Sequence, residues 1–227
     1  MTRAGTIASR IQLLKDEIGT GQLIAVSKYA PIEDIVSAYQ AEQFDFGESK
    51  VSVLKKKADY FQANKLNEVR WHFIGHLQTN KVKDLLRIPN LHAIHSVDSI
   101  RLLQDILKYQ TLFQGNELGI FFQVNTSHEE EKSGFETLDE LEQAISLLLK
   151  EKSSLKFLGL MTMGTMRTDD FEAEARRCFL ELNEMKIKLE SKYSLGEIKL
   201  SMGMSQDYKI ALEQGSDLVR IGTAIFK

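Results

Sequence analysis

Eight short apolar runs recur along the chain, each too brief for a typical helix and each leading into a stretch with helical periodicity. They are LIAVSK (23–28), FDFGE (44–48), RWHFIG (70–75), LHAIHSV (91–97), LGIFFQVN (118–125), KFLGLMTMG (156–164), KLSMGMS (199–205) and LVRIG (218–222). A helix precedes them all, with Ile7, Ile11, Leu14 and Ile18 at helical spacing before glycines at 19 and 21. Between the runs, Pro31 opens a helix with Ile32, Ile35, Val36 and Tyr39 on one face. A later helix turns Leu54, Ala58 and Phe61 inward, and Asp98 is the expected cap of the one carrying Ile100, Leu103 and Leu107. Thr137 and Glu140 fit a capping box, and a long helix is expected from Thr168 to Lys192. Hairpin signals are scarce, so the strands should be parallel and joined by crossovers. Eight strands alternating with helices predict an α/β chain: a single-domain β/α (TIM-like) barrel over residues 1–227 with an extra N-terminal helix. An open doubly wound sheet is the alternative.

Composition narrows the function. The 227 residues suit one packed core, and a formal charge of -3 supplies no basic field for nucleic acid or anionic lipid. The run Lys55-Lys56-Lys57 reads as a solvated helix face. No apolar run approaches the ~20 residues of a membrane span, and the charged N-terminus lacks a signal core. The expectation is a cytoplasmic, soluble protein. The lone cysteine, Cys178, excludes an internal disulfide and reads as core.

A β/α barrel gathers its chemistry where the strands end, with phosphate often held by the loops after strands seven and eight. Lys28 closes the first run, where partial desolvation would favour the neutral amine that attacks a carbonyl; a lysine that simply reaches water is the competing reading. Ser201-Met202-Gly203-Met204-Ser205 and Arg220-Ile221-Gly222-Thr223 each combine a glycine with a hydroxyl, as an anion site needs, though ordinary βα turns look alike. Ser205 or Gln206 is expected to start a helix, whose amino end favours negative charge. Arg220 sits in an otherwise apolar run and needs an anionic or ring-nitrogen partner, structural or cofactor. His72 and His76 have metal-pair spacing only on a helix, which Gly75 breaks; His92 and His95 should face opposite sides of a strand, so no metal is expected.

The segments AVSK (25–28), FGE (46–48), WHFIGHLQTNK (71–81), HSVDS (95–99), QVNTSHEEEKSG (123–134), GLMTMG (159–164), LSMGMSQDY (200–208) and VRIGTAIF (219–226) together resemble the YggS/PROSC family of pyridoxal phosphate homeostasis proteins, in order and over nearly the entire chain. The resemblance implies an alanine-racemase-like barrel holding pyridoxal 5′-phosphate (PLP) as a Schiff base on Lys28. It implies that Ser201, Met202 and Gly203, with Gly222 and Thr223, receive the phosphate, and that Arg220 faces the pyridine nitrogen. His76 and the Phe46-Gly47-Glu48 turn would lie at the mouth. Ser49 stands where the family usually has asparagine, which shortens or removes the contact of that amide.

Two function classes follow, with a third behind them. A regulator or carrier would hold PLP, limit its free concentration and pass it to PLP-dependent apo-enzymes, as a monomer or weak dimer. A racemase-like enzyme would use PLP in turnover; eight β/α units leave no chain for the extra domain such racemases carry. Tyr29 is the one tyrosine beside the lysine, and strand alternation should point it away. A phosphosugar-metabolising barrel would need a carboxylate base, for which Glu48 is the candidate.

Overall fold

The eight runs become eight parallel strands that close on themselves. In the computed structural model, which describes residues 2–151, 153–165, 168–193 and 195–227, the strands are β1 (Gln22–Val26), β2 (Asp45–Glu48), β3 (Arg70–Phe73), β4 (Leu91–Val97), β5 (Leu118–Gln123), β6 (Leu155–Met161), β7 (Lys199–Met204) and β8 (Leu218–Ile221). Each pairs with its sequence neighbour, and β8 returns to β1 with Ala25 opposite Ile221. The helices α1 (Arg3–Ile18), α2 (Ile32–Gln40), α3 (Val51–Ala63), α4 (Val82–Leu86), α5 (Ile100–Tyr109), α6 (Leu138–Lys150), α7 (Phe171–Lys192), α8 (Tyr208–Glu213) and α9 (Thr223–Phe226) surround them.

Alternation along the strands sorts side chains into two cores. Outward residues such as Phe46, Trp71, Ile94, Ile120, Phe122, Leu160 and Val219 pack against the helices in one large cluster. Inward residues Ile24, Ala93, Phe121, Met161 and Leu218 form a small cluster inside the barrel. Ile7, Ile11, Leu14 and Ile18 of α1 are all buried, each worth ~1.5–3 kcal/mol. Thr2 caps the start of that helix and Gly19, at φ 66°, ends it. The capping box of Thr137 and Glu140 starts α6 as its sequence requires.

Several boundaries differ from the sequence reading. Ser99, not Asp98, caps α5: its hydroxyl accepts from Leu102 N–H, while the Asp98 carboxylate is taken by His76 and by the Ser99 hydroxyl. The long helix begins at Phe171, capped by Asp170, instead of at Thr168. The helix after β7 begins at Tyr208, because Asp207 folds back to accept from Met204 N–H. The basic run is not uniformly solvated either. Lys55 is exposed and pairs with Asp59, but Lys57 is buried beside Glu48 and donates to Ser27 O at 2.7 Å. Among the described residues, no helix is long and apolar enough to cross a membrane.

Candidate functional site

At the C-terminal ends of the strands, β1 and β8 leave the barrel side by side. Gly222 follows β8 so closely against β1 that an added Cβ would lie 2.8 Å from Val26 O. Glycine there lets the chain around Thr223 run alongside the segment carrying Lys28. β1 stops at Val26, two residues earlier than its apolar run, so Lys28 sits in a turn and is exposed, with no carboxylate within 4 Å among the described residues. Leaving the strand also ends its alternation. Tyr29, expected to point away, therefore places its ring 5.3 Å from Lys28 Nζ while remaining 85% exposed. Thr223 is exposed and Ser205 half-buried, the first after β8 and the second after β7.

At the end of β7 the side chains of Ser201 and Met202 are enclosed, so this segment meets the mouth differently from an open hydroxyl-bearing loop. Ser201 pairs with Leu218 and Met204 with Arg220, so β7 carries one residue more than β8 between those pairs. Gly203, at φ 92°, takes up the extra residue, and α8 packs so tightly on it that a Cβ would lie 2.6 Å from Ala211 Cβ. Met202 faces the outer core, and the Ser201 hydroxyl is fully enclosed inside the barrel. The next hydroxyl along the loop, that of Ser205, is half-buried.

Below the mouth, polar side chains run through the barrel interior. Arg220 Nη1 donates to Ser201 O at 2.6 Å and to Ser201 Oγ at 2.8 Å, and Nη2 donates to Thr162 O at 2.8 Å. Burial pulls the guanidinium down to about 10, opposed by nearby Asp207, so it stays charged at neutral pH. Ser201 Oγ meets His95 Nδ1 at 2.9 Å, His95 Nε2 meets His72 Nδ1 at 2.9 Å, and His72 Nε2 meets Asp45 Oδ1 at 3.0 Å. Arg70 closes the row with a two-pronged contact to the Asp45 carboxylate at 2.6 and 2.7 Å. Burial pushes Asp45 up, but the bonds from Arg70 and His72 outweigh it and hold the carboxyl far below its ordinary range. His92 and His95 do not face opposite sides. Trp71 pairs with Leu91 and His72 with Ala93, so His92 is an extra residue in β4. That bulge resets the alternation and brings both rings to 5.1–5.2 Å from His72. Sequence reasoning missed this row, although its signal was present: polar residues within apolar strands must find partners.

At the rim, His76 is exposed and its Nδ1 contacts Asp98 Oδ2 at 3.2 Å. Ser49 is half-buried, and Gly75 packs on its backbone: a Cβ on Gly75 would fall 2.1 Å from Ser49 O. Glu48 is not available as a base. It is buried, paired with Lys57, and accepts from Ser27 Oγ and Ser49 N–H. Cys178 is buried, its Sγ 3.4 Å from Thr126 O. Among the described residues, no three histidine, cysteine or acidic side chains are placed to hold a metal.

A closed β/α barrel with an exposed lysine, hydroxyls after β7 and β8 and a buried arginine below them defines a class, and residues 3–227 match the family described as alanine racemase, N-terminal domain. A relative from Schizosaccharomyces pombe named pyridoxal phosphate homeostasis protein is 34% identical over 97% of this chain and 92% of its own. The chain belongs to the pyridoxal phosphate homeostasis proteins within that family. PipY of Synechococcus elongatus, solved with PLP bound, superimposes with a TM-score of 0.84 at 28% identity, covering 97% of this chain and 100% of PipY. Alanine racemase from Corynebacterium glutamicum shares the fold, with a TM-score of 0.73 at 15% identity; 98% of this chain matches 61% of the racemase.

Proposed function

We propose that this chain binds PLP at the barrel mouth, joined to Lys28 as a Schiff base, and holds it for cofactor homeostasis in place of turnover. The observation that carries the reading is the contact of Gly222 with Val26, which sets the glycine- and hydroxyl-bearing turn after β8 beside the lysine after β1. The residues present fit the group. Lys28 is exposed and unpaired by a carboxylate among the described residues, so an aldehyde can reach its amine. Gly222 backbone with the hydroxyls of Thr223 and Ser205 would receive the phosphate. The side chains of Ser201 and Met202 are enclosed, so with Gly203 they would join that set through backbone alone. Arg220 would face the ring nitrogen; with three hydrogen bonds to protein, it keeps donors free among the described residues.

When bound, PLP can act as an electron sink, and this chain weakens that capacity. A fixed guanidinium disfavours a proton on the ring nitrogen, where a carboxylate would favour one. Carboxylate bases are also scarce at the mouth, since Glu48 is committed to Lys57 and Ser27. These features support a carrier or buffer that supplies PLP-dependent apo-enzymes. Purified protein should show a visible imine band that borohydride fixes and Lys28→Ala abolishes. Colourless protein that takes up no added PLP would sink the reading. Lys28-dependent loss of an amino-acid α-proton at ordinary enzyme rates would replace it with a racemase-like one.

A further inference from the structure

The polar row inside the barrel spans it from the mouth to the opposite face. Arg220 lies at its upper end. At the lower end Asp45 and Arg70 line a cleft of about 300 Å³ beside Lys15, Gln22 and Glu42. Every contact between them is a hydrogen bond of 3.0 Å or less.

The two ends fix the direction of the protons between them. An arginine only donates and an ionised carboxylate only accepts, so His72 Nε2, facing Asp45, carries a proton. Burial holds His95 neutral, its pKa well below the ordinary histidine value. The Ser201 hydroxyl accepts from Arg220 and has His95 Nδ1 as its one acceptor among the described residues, so a neutral His95 donates from Nε2 and His72 accepts at Nδ1. Every donor meets an acceptor in this order. The reverse order leaves the Ser201 proton without an acceptor among the described residues.

We infer that His72 and His95 are positioning residues: with Asp45 they form a proton-ordered chain that orients the Ser201 hydroxyl and keeps the Arg220 guanidinium aimed at the ring nitrogen. This rests on the reading that Arg220 faces the ring of PLP. The groups facing the chain are Asp45 from β2, Arg70 and His72 from β3, His92 and His95 from β4, Ser201 from β7, Arg220 from β8, and Asp207 beyond β7. Phe121 of β5 stacks on the His95 ring at 4.3 Å and holds its plane.

Two measurements test the inference. In PLP-free protein with ¹⁵N-labelled histidine, His95 should carry its proton on Nε2, with Nδ1 bare, across the neutral pH range. His72 should be protonated on Nε2. A His95 protonated on Nδ1, or one that titrates in that range, would overturn the ordered chain. In PLP-loaded protein, His95→Phe keeps an aromatic ring against Phe121 but breaks the chain; PLP should dissociate about tenfold faster, and the pH profile of the visible band should shift. His95→Gln, whose amide can accept from Ser201 and donate to His72, should recover most of the wild-type profile. His95→Phe with unchanged dissociation and pH profile would overturn the positioning role. If His95→Phe fails to fold, His95→Gln and the wild-type histidine spectra still decide. A wild type with no visible band would defeat the PLP reading alone, and the histidine spectra of PLP-free protein would still decide the proton order.

Discussion

The inside of the barrel and the shell around it use opposite faces of the same strands, yet they hold together by different means. In the shell, aromatic rings meet edge to face: Phe61 and Trp71 at 5.3 Å, Tyr39 and Phe61 at 5.6 Å. Its stability is mostly area removed from water. Inside, five apolar residues are outnumbered by a row of polar side chains that must satisfy one another. A shell contact can be resized at a graded cost. Loss of one link in the interior row strands its neighbours in a medium where an unpaired polar group is expensive. The comparison explains why an arginine can be kept charged a short way below the mouth: the interior is built as a polar scaffold, and the shell carries the bulk of the fold.

The buried Lys57–Glu48 pair is the shell's exception to that division, and it offers the sharpest way to break the comparison. Lys57→Ala should destabilise the protein by about 3–5 kcal/mol in denaturant unfolding, because Glu48 would remain buried without its partner. A cost under about 1 kcal/mol would mean that water reaches Glu48, and the shell would then be apolar in effect throughout.

The interior should show itself next, through acid sensitivity. Burial brings His92 down to about 4, below the ~6.5 of an unfolded histidine. The unfolded chain therefore takes up the proton first. The contribution of His92 is complete above about pH 6.5 and is lost as pH falls toward about 4. Asp45, with its folded pKa depressed, adds a second loss beginning below the ~3.9 of an unfolded aspartate. Stability measured against pH should fall in two successive stages. His92→Gln should make the first loss shallower, the remainder belonging to His95, and Asp45→Asn should flatten the second; a wild type with no loss above pH ~4 would show that the interior row is not closed to water.

The smallest effect belongs to the outer surface. Lys55→Ala removes an exposed ion pair with Asp59 and should cost at most about 0.5 kcal/mol. Lys55 and Lys57 are two residues apart in one basic run, so the pair of variants measures burial with sequence context held nearly constant.

The sequence made the shell legible and left the interior hard to read, for a physical reason. Shell positions obey a period: Ile7, Ile11, Leu14 and Ile18 on α1, or Leu54, Ala58 and Phe61 on α3, announce their face by spacing. The same spacing places Lys57 inward, three residues after Leu54 and four before Phe61, and charge alone argued it out to solvent. The interior depends on exceptions to period. One added residue at His92 and another taken up at Gly203 decide which side chains enter the barrel, and no composition or propensity marks them. Lys28 was singled out through its motif as the candidate for the Schiff base, although β1 ends before it. Ser201 was read as a phosphate-site residue because its loop is glycine-bearing and hydroxyl-rich, and the bulge that encloses its hydroxyl has no mark in the sequence.

Closure of the sheet bears on how other proteins can meet this one. With β8 hydrogen-bonded to β1, none of the eight strands among the described residues has a bare edge, so strand addition to this barrel is closed to a partner. Encounters are left to helix faces and loops, where recognition is written in side chains. The open end of the barrel is ringed by such loops, so a protein collecting a small molecule from Lys28 would have to approach end-on, face to face with Tyr29 and His76.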